Sequence, residues 1–346
     1  MALKIVTYDG SSDRLEWEAF VNDHPDGSIF QLPRMYDVWK QTRNHQVVVL
    51  FAYYEGRLAG VVMAVFGWNG IFPFSQMSSR QIVTGGPLVV DNDKGIMLAL
   101  LEALIDKGEE KVVFTSIHNL RMGLSLKPLF EETGFYYEPY LSVMLDIGRD
   151  RTEIWKSLSP ERQGNIKRLI HADHSVKNLL EPGEIAGAWQ IIRCSVGQKG
   201  RPLPHHSLFR AVRSSKEMAR NFLFKGLIVD NKLKAVVLVL LYKNRAWLWY
   251  EGNCLKASRQ WMYDGFLWNV ITELQGDGYC YLDMGEGGRP GKDVFARRYK
   301  KSYGDMVRET GRYTYIHNGF LWRTGKFFFR WYKKIRRFVF SYYCKI

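Results

Sequence analysis

The sequence predicts a mixed α/β fold made of two tandem domains of one design, followed by a basic aromatic C-terminal helix. The first observation is length, because 346 residues are enough for two ordinary hydrophobic cores. The second is a pattern of two apolar strands, a helix and a further strand, which occurs twice along the chain. The third is a final segment rich in aromatic and basic residues. Together they predict domains over 1–148 and 149–318 and a tail over 319–346.

Each copy of the repeated pattern starts with a predicted hairpin. The first hairpin turns at Glu55-Gly56 and the second at Asp230-Asn231, each between apolar strands. In both copies a helical stretch follows, and a glycine then precedes a further strand. The turns lie 175 residues apart and the glycines, Gly108 and Gly276, lie 168 apart. This nearly constant offset indicates an internal duplication, with two unrelated hairpins as the alternative.

The boundary between the halves is predicted near Asp150. Strand-like Tyr140–Ile147 ends the first half, and a helix begins after Ser159. Pro160 suits the first position of that helix, and Glu161 suits its first turn. Each half therefore contains a hairpin, a helix and a further strand, which predicts a mixed α/β fold and not a doubly wound one.

Composition excludes several classes of protein. An apolar fraction of 46% and a charged fraction of 24% exclude a disordered or fibrous chain. The longest apolar runs are far shorter than the ~20 residues of a membrane span, and Met1–Arg14 lacks the apolar core of a secretion signal. The cysteines have no metal-ligand spacing, so we expect no metal and reduced thiols in a cytoplasmic protein. They are Cys194, Cys254, Cys280 and Cys344.

The tail carries much of the net charge of +14, because Gly319–Ile346 contains eight basic residues and no acidic one. As a helix it separates two faces. The aromatic and apolar face is Phe328, Trp331, Tyr332, Ile335, Phe338, Val339 and Tyr342, and the basic face is Arg323, Lys326, Arg330, Lys333, Lys334 and Arg337. Such a helix is typical of a membrane interface, which predicts binding to an anionic membrane surface through residues 320–346. The alternative is a helix that docks its aromatic side chains on the core.

Short motifs are spread over residues 15–315. They are Ser28-Ile-Phe-Gln31, Trp39-Lys40, Gly85-Gly86-Pro87-Leu88, Trp155-Lys-Ser-Leu158, Arg162–Arg168, Tyr281-Leu-Asp-Met-Gly285 and Tyr299-Lys-Lys-Ser-Tyr-Gly304. In this order they resemble the Fem-type proteins, GNAT-fold transferases with two tandem acyltransferase-like domains. The resemblance implies an enzyme that transfers an acyl group to an amine of a cell-envelope glycan, a lipid-linked precursor or a peptidoglycan precursor. Together with the isolated cysteines and the basic aromatic tail, it predicts a cytoplasmic protein that is peripheral on the inner face of the cytoplasmic membrane.

The acyl donor stays open at this point. The chain lacks the long helical hairpin of many members that build peptidoglycan bridges, so an acyl-CoA co-substrate is preferred over aminoacyl-tRNA. The pyrophosphate loop of acyl-CoA enzymes is also not matched, because Arg80–Gly86 has the wrong spacing. The alternatives are a tRNA-dependent aminoacyltransferase that builds interpeptide bridges, with tRNA as a partner, and a non-catalytic basic protein that binds lipid or nucleic acid. No tightly bound cofactor is expected.

Acyl transfer to an amine needs a group that stabilises the oxyanion and a group that accepts a proton. The resemblance assigns the first role to Lys300, between Tyr299 and Tyr303; a solvated basic helix is the alternative. Asp283, at the end of an apolar strand, is the candidate base or a residue that orients Lys300, with a loop cap as the alternative. Glu251 is the second candidate base.

Tyr299 and Tyr303, which flank Lys300, and four further residues are candidates for substrate binding. Gly285 and Arg289 belong to a glycine-rich loop whose backbone N–H groups can approach a phosphate. The resemblance implies contacts from Lys40 and Arg201 to the diphosphate of the acceptor, for which arginine supplies a fork and lysine a point charge.

Overall fold

The computed structural model describes residues 3–10, 13–68, 74–118, 126–291, 295–304 and 306–343. They form two compact units. Unit 1 consists of Met1–Pro139 and Thr310–Trp331, and unit 2 consists of Tyr140–Glu309 and Tyr332–Ile346.

The strands are β1 (Lys4–Thr7), β2 (His45–Tyr54), β3 (Arg57–Gly67), β4 (Arg80–Thr84), β5 (Leu88–Val89), β6 (Phe114–His118), β7 (Tyr136–Glu138), β8 (Leu141–Asp146), β9 (Ser175–Asn178), β10 (Phe222–Val229), β11 (Lys232–Tyr242), β12 (Arg245–Asn253), β13 (Tyr281–Gly288), β14 (Met306–Glu309) and β15 (Arg312–Ile316). The helices are α1 (Arg14–Asp23), α2 (Pro33–Lys40), α3 (Phe74–Met77), α4 (Lys94–Gly108), α5 (Lys127–Glu132), α6 (Arg151–Ser157), α7 (Pro160–Ile170), α8 (Pro182–Gln198), α9 (Ser207–Ser214), α10 (Trp261–Gly276), α11 (Phe295–Lys301) and α12 (Gly319–Tyr343).

Each unit is built on one mixed sheet. The sheet of unit 1 has the strand order β1-β2-β3-β4-β6-β15-β7, with β5 added beside β3. The sheet of unit 2 has the order β14-β8-β13-β12-β11-β10-β9. In both, four antiparallel strands lead to one parallel pair, β4 with β6 and β12 with β13. Buried apolar residues of α4 and of α10 contribute to the cores that pack on these sheets.

The two predicted hairpins occupy the same place in the two sheets. Glu55 and Asp230 both adopt left-handed backbone conformations, with φ of 52° and 51°. Each hairpin also carries a register shift close to its turn, at Ala52/Tyr53 and at Leu227/Ile228. The mixed α/β prediction is therefore confirmed, and the repeated pattern corresponds to a repeated order of strands.

The limits of the units differ from the predicted limits 1–148, 149–318 and 319–346. Strand β8, expected to end the first domain, pairs with β13 and β14 in the sheet of unit 2. Strand β15, expected in the second domain, pairs with β6 and β7 in the sheet of unit 1. In each case the strand covers one edge of the parallel pair, which would otherwise present unpaired backbone groups.

The C-terminal helix α12 presents part of its surface to solvent. Trp331 is 55% exposed and Phe338 is 76% exposed, so neither is core. The ring of Phe340, in contrast, packs against α8. It lies so close to Gly197 that a Cβ added there would be 2.5 Å from the ring. The side chain of Tyr342, and Cys344, lie outside the described residues. Among the helices that the structure describes, none has both the length and the apolar character needed to cross a bilayer.

The oxidation state of the cysteines agrees only in part with the prediction of reduced thiols. Cys254 and Cys280 are free, whereas Cys194 of α8 is disulfide-bonded. The prediction of a free thiol is therefore wrong at Cys194. Sequence spacing did not indicate this bond, because a disulfide depends on a distance in the folded chain.

Candidate active site

Unit 2 contains a cavity of about 680 Å³. Its walls come from the end of β12 with the turn that follows it, and from α7, α8, α10 and α11. Three of the predicted site residues line it: Glu251, Tyr299 and Lys300. The cavity is the candidate active site.

The cavity lies where β12 and β13 separate. These parallel strands pair only from Arg245 opposite Tyr281 to Trp247 opposite Asp283, although both strands continue beyond that point. Backbone groups of β13 then need other partners. The carbonyl oxygens of Met284 and Glu286 accept hydrogen bonds from Lys300 Nζ, the second at 3.1 Å. Lys300 is thus anchored at the divergence of the two strands.

Lys300 has the properties of an oxyanion-stabilising group. Burial lowers the pKa of its ammonium, and the nearby carboxylates of Glu251 and Asp283 oppose this shift. An ammonium has three N–H donors, and within the described chain two of them are directed to Met284 and Glu286. A partly desolvated cation with one donor left for a ligand interacts strongly with developing negative charge. Lys300 is half-buried, whereas a lysine on a solvated basic helix, the alternative considered above, would be exposed.

Asp283 does not line the cavity. Its Oδ1 accepts hydrogen bonds from Ser142 Oγ at 2.9 Å and from the Gly285 backbone N–H at 2.6 Å. Burial raises the pKa of this carboxyl, and both hydrogen bonds oppose that shift. Gly285 has a φ of +74°, a left-handed conformation that glycine adopts without strain. Asp283 therefore holds the turn that directs the Met284 carbonyl toward Lys300.

Glu251 lines the cavity, and its negative charge acts on Lys300. Its Oε2 accepts a hydrogen bond from the Tyr263 hydroxyl at 2.5 Å. Burial, together with the negative charge of Glu251, raises the pKa of Tyr263 well above its ordinary value, so this tyrosine stays a hydrogen-bond donor. Cys254 also lines the cavity, and burial raises the pKa of its thiol, which disfavours a thiolate nucleophile.

A buried hydrogen-bond network around Asp264, which the sequence did not predict, supports the cavity wall. Asp264 Oδ1 accepts hydrogen bonds from the hydroxyls of Tyr299 at 2.9 Å and Tyr303 at 3.0 Å. Its Oδ2 accepts from Arg162 and from Asn165, the latter at 2.5 Å. The two tyrosines therefore bind Asp264, and Tyr303 is buried away from the cavity. A carboxylate in the apolar sequence of α10 was the available indication, because a buried charge requires partners.

The remaining predicted residues lie in different places. Lys40 ends α2 in unit 1, with its Nζ 5.7 Å from the centre of the Tyr36 ring. Arg201 follows α8 in unit 2, is exposed, and contributes to the lowered pKa of Lys300. The guanidinium of Arg289 lies 5.7 Å from the centre of the Tyr140 ring. Of these three residues, Arg201 is the one whose charge acts on Lys300.

No protein-family model matches this chain, and no curated protein matches its sequence. Solved structures do match. FemX is 12% identical with a TM-score of 0.67, over 92% of this chain and 99% of that one. A tandem GNAT protein from the clavulanic acid biosynthesis pathway is 12% identical with a TM-score of 0.59, over 92% and 99%. The C-terminal domain of a putative lysylphosphatidylglycerol synthetase from Agrobacterium fabrum is 11% identical with a TM-score of 0.56, over 91% and 94%. At these identities the likeness is one of fold, and it confirms that this chain has the tandem GNAT fold expected from its resemblance to Fem-type proteins.

Proposed function

We propose that this protein transfers an acyl or aminoacyl group to an amine of a cell-envelope glycan or peptidoglycan precursor, with the cavity of unit 2 as the reaction site. The observation that carries the proposal is the pairing of Lys300 and Glu251 in one cavity. A cation that meets an oxyanion and a carboxylate that accepts a proton are the two groups that this reaction needs.

The proposed reaction has two steps. The acceptor amine attacks the carbonyl carbon of the donor, Glu251 takes the proton that the amine loses, and the oxyanion accepts a hydrogen bond from the remaining N–H of Lys300. The tetrahedral intermediate then collapses: the carbonyl re-forms as the bond to the leaving sulfur of CoA, or to the leaving oxygen of tRNA, breaks, and the departing atom takes the proton held by Glu251. Asp283 is a positioning residue in this scheme, because it acts through the turn at Gly285 and not on the substrate.

Acyl-CoA is the proposed donor, and aminoacyl-tRNA is the alternative. Labelled acetyl-CoA and labelled aminoacyl-tRNA are to be offered in parallel with a panel of aminosugars and peptidoglycan precursors. We expect label transfer from acetyl-CoA to an amine. Transfer from aminoacyl-tRNA alone assigns the protein to the alternative reaction, and transfer from neither, with intact nucleic-acid or lipid binding, contradicts an enzymatic function.

We also propose that α12 binds the protein to the inner face of the cytoplasmic membrane. Ile335 and Phe338 are exposed, and no acidic residue occurs from Gly319 to Ile346. Insertion of the apolar residues gains hydrophobic free energy, and the basic residues are attracted to anionic lipid headgroups. Both contributions favour a membrane surface as the binding partner of this helix.

Ile335→Glu and Phe338→Glu are expected to lower binding to anionic vesicles by about tenfold each, since each removes apolar area and adds repulsion. Co-sedimentation measures this binding, and more salt weakens it because the Debye length shrinks from ~10 Å at 0.1 M to ~3 Å at 1 M. Leu15→Glu is the matched control, because Leu15 is an exposed leucine in α1. Equal binding by all variants contradicts a membrane role for α12.

A further inference from the structure

The last turns of α12 pack along α8 in the antiparallel direction. A Cβ added at Gly200, just after α8, would lie 3.0 Å from the Lys333 carbonyl oxygen and 3.3 Å from Arg337 Nε. One turn back along α8, a Cβ added at Gly197 would lie 2.5 Å from the ring of Phe340. The contacts therefore move toward the start of α8 as they move toward the end of α12, and the two glycines allow the close approach.

The next position of α8 along this line of contacts is Cys194. It precedes Gly197 by three residues and so shares a helix face with it. Cys194 is disulfide-bonded, whereas Cys254 and Cys280 are free. Of the four cysteines in the sequence, this leaves Cys344, which directly follows α12 and lies outside the described residues.

We propose that Cys194 is bonded to Cys344 and that this bond is a redox-sensitive latch, which joins the end of α12 to α8 and thereby fixes the wall that α8 contributes to the candidate active site. Position 344 comes four residues after Phe340, so it continues the line of contacts by one helical turn. The antiparallel packing therefore brings the two cysteine positions together, as a disulfide requires.

Helix α8 lies against the cavity as well as against α12. Cys194, Ser195, Gln198 and Lys199 line the cavity. Ser195 Oγ also donates a hydrogen bond to the Asn253 carbonyl oxygen at 3.1 Å and accepts one from the Asn253 N–H at 2.9 Å. These bonds hold α8 to the end of β12, and the latch holds it to α12. When the latch opens, only non-covalent contacts keep α12 on α8, so the wall is less well pre-organised for a ligand.

The redox setting of the latch rests on the proposed function, in which the protein works at the inner face of the cytoplasmic membrane. Disulfides in that reducing compartment are rare and are usually transient or redox-sensing. A small cellular dithiol can reach half-buried Cys194 through the cavity.

Reduction of the latch follows ordinary thiol–disulfide exchange. A thiolate of the dithiol attacks one sulfur of the bond, and the other sulfur leaves as a thiolate and takes up a proton. The second thiol of the reductant then breaks the mixed disulfide. The protein gains two electrons and two protons as two thiols, and the reductant becomes a disulfide.

Peptide mapping of protein purified without reductant tests the bond itself. We expect a cross-linked peptide that contains Cys194 and Cys344, and alkylation of the denatured, unreduced chain at Cys254 and Cys280 alone. Alkylation of all four cysteines, or a bond from Cys194 to another chain, overturns the proposal.

Thermal unfolding tests whether the bond constrains the fold. Dithiothreitol is expected to lower the unfolding midpoint of the wild type by roughly 5–10 °C, because the unfolded chain is no longer closed into a long loop. Cys344→Ser is expected to have the lower midpoint from the start and to show no response to dithiothreitol. Cys254→Ser is the matched control, since it removes an exposed free thiol and is expected to respond as the wild type does. A wild-type midpoint that dithiothreitol leaves unchanged contradicts the latch.

Turnover tests the link between the latch and the cavity. Dithiothreitol is expected to raise the KM of the wild type for acetyl-CoA about fivefold, the lower end of the range for coupled sites, and to leave kcat unchanged. The reason is that Lys300 and Glu251 belong to α11 and β12 and not to α8. C344S is expected to show the raised KM with and without dithiothreitol, and an unchanged KM in the reduced wild type overturns the link. The cross-link and the unfolding midpoint need no substrate, so they decide the latch even if the proposed label transfer fails.

Discussion

Replacement of Lys300 by methionine is expected to lower kcat by about 10²-fold, the usual cost of removing one oxyanion-stabilising group. Methionine keeps the length of the side chain and removes the ammonium that faces the cavity. The assay is label transfer from the donor identified above, with the acceptor in excess. Circular dichroism checks that the variant is folded, because the carbonyls of Met284 and Glu286 lose a donor in it.

Lys301→Met is the matched control for this experiment. Lys301 is the next residue of α11, is exposed and is not part of the cavity wall. We expect it to retain wild-type turnover. If K300M and K301M turn over substrate at the same rate as the wild type, Lys300 has no part in the reaction.

The pH dependence of turnover identifies the ammonium as the active form. Burial lowers the pKa of Lys300 from its ordinary value of 10.5, so this residue loses its proton at a lower pH than an exposed lysine does. Because the protonated form stabilises the oxyanion, kcat falls as the pH rises through the lowered pKa. Lys300→Arg stays protonated, and the alkaline decline is expected to disappear in it. An unchanged decline in K300R assigns it to another group.

The repeated fold was predictable because its strongest indications are local. The turns at Glu55-Gly56 and Asp230-Asn231 combine residues that accept left-handed backbone with apolar strands on both sides, and both form as predicted. The sheet to which β8 and β15 belong was not predictable in this way. The sequence of a strand does not indicate which sheet edge the strand covers, because that pairing joins residues far apart in the chain.

In the candidate site, too, local features were predictable from the sequence, and features that depend on long-range pairing were not. The aromatic-lysine motif singled out Lys300, and the structure places this residue in the cavity wall, since α11 carries it there as one short element. The choice between Asp283 and Glu251 as the proton acceptor depends on where β12 and β13 separate. That position is a property of the folded sheet and not of either strand's sequence. Asp264 was missed for the same reason, because its partners come from α7 and α11.

Glu251→Gln is expected to lower kcat by at least about 10²-fold, the lower end of the range for general acid–base groups. The amide keeps the size of the side chain and an oxygen that accepts the hydrogen bond from Tyr263, but it does not take a proton from the acceptor amine. The same label-transfer assay measures the loss, and an unchanged thermal unfolding midpoint separates it from a loss of stability.

Two comparisons make the Glu251 result specific. Glu161→Gln removes another carboxylate of the same cavity wall, one that lies 3.8 Å from Arg162, and is expected to leave kcat unchanged. Asp283→Asn keeps an oxygen that accepts from Gly285 and Ser142, so its effect is expected to be smaller than that of Glu251→Gln. A larger loss in D283N than in E251Q exchanges the two roles, because Asp283 then takes the proton despite its place outside the cavity.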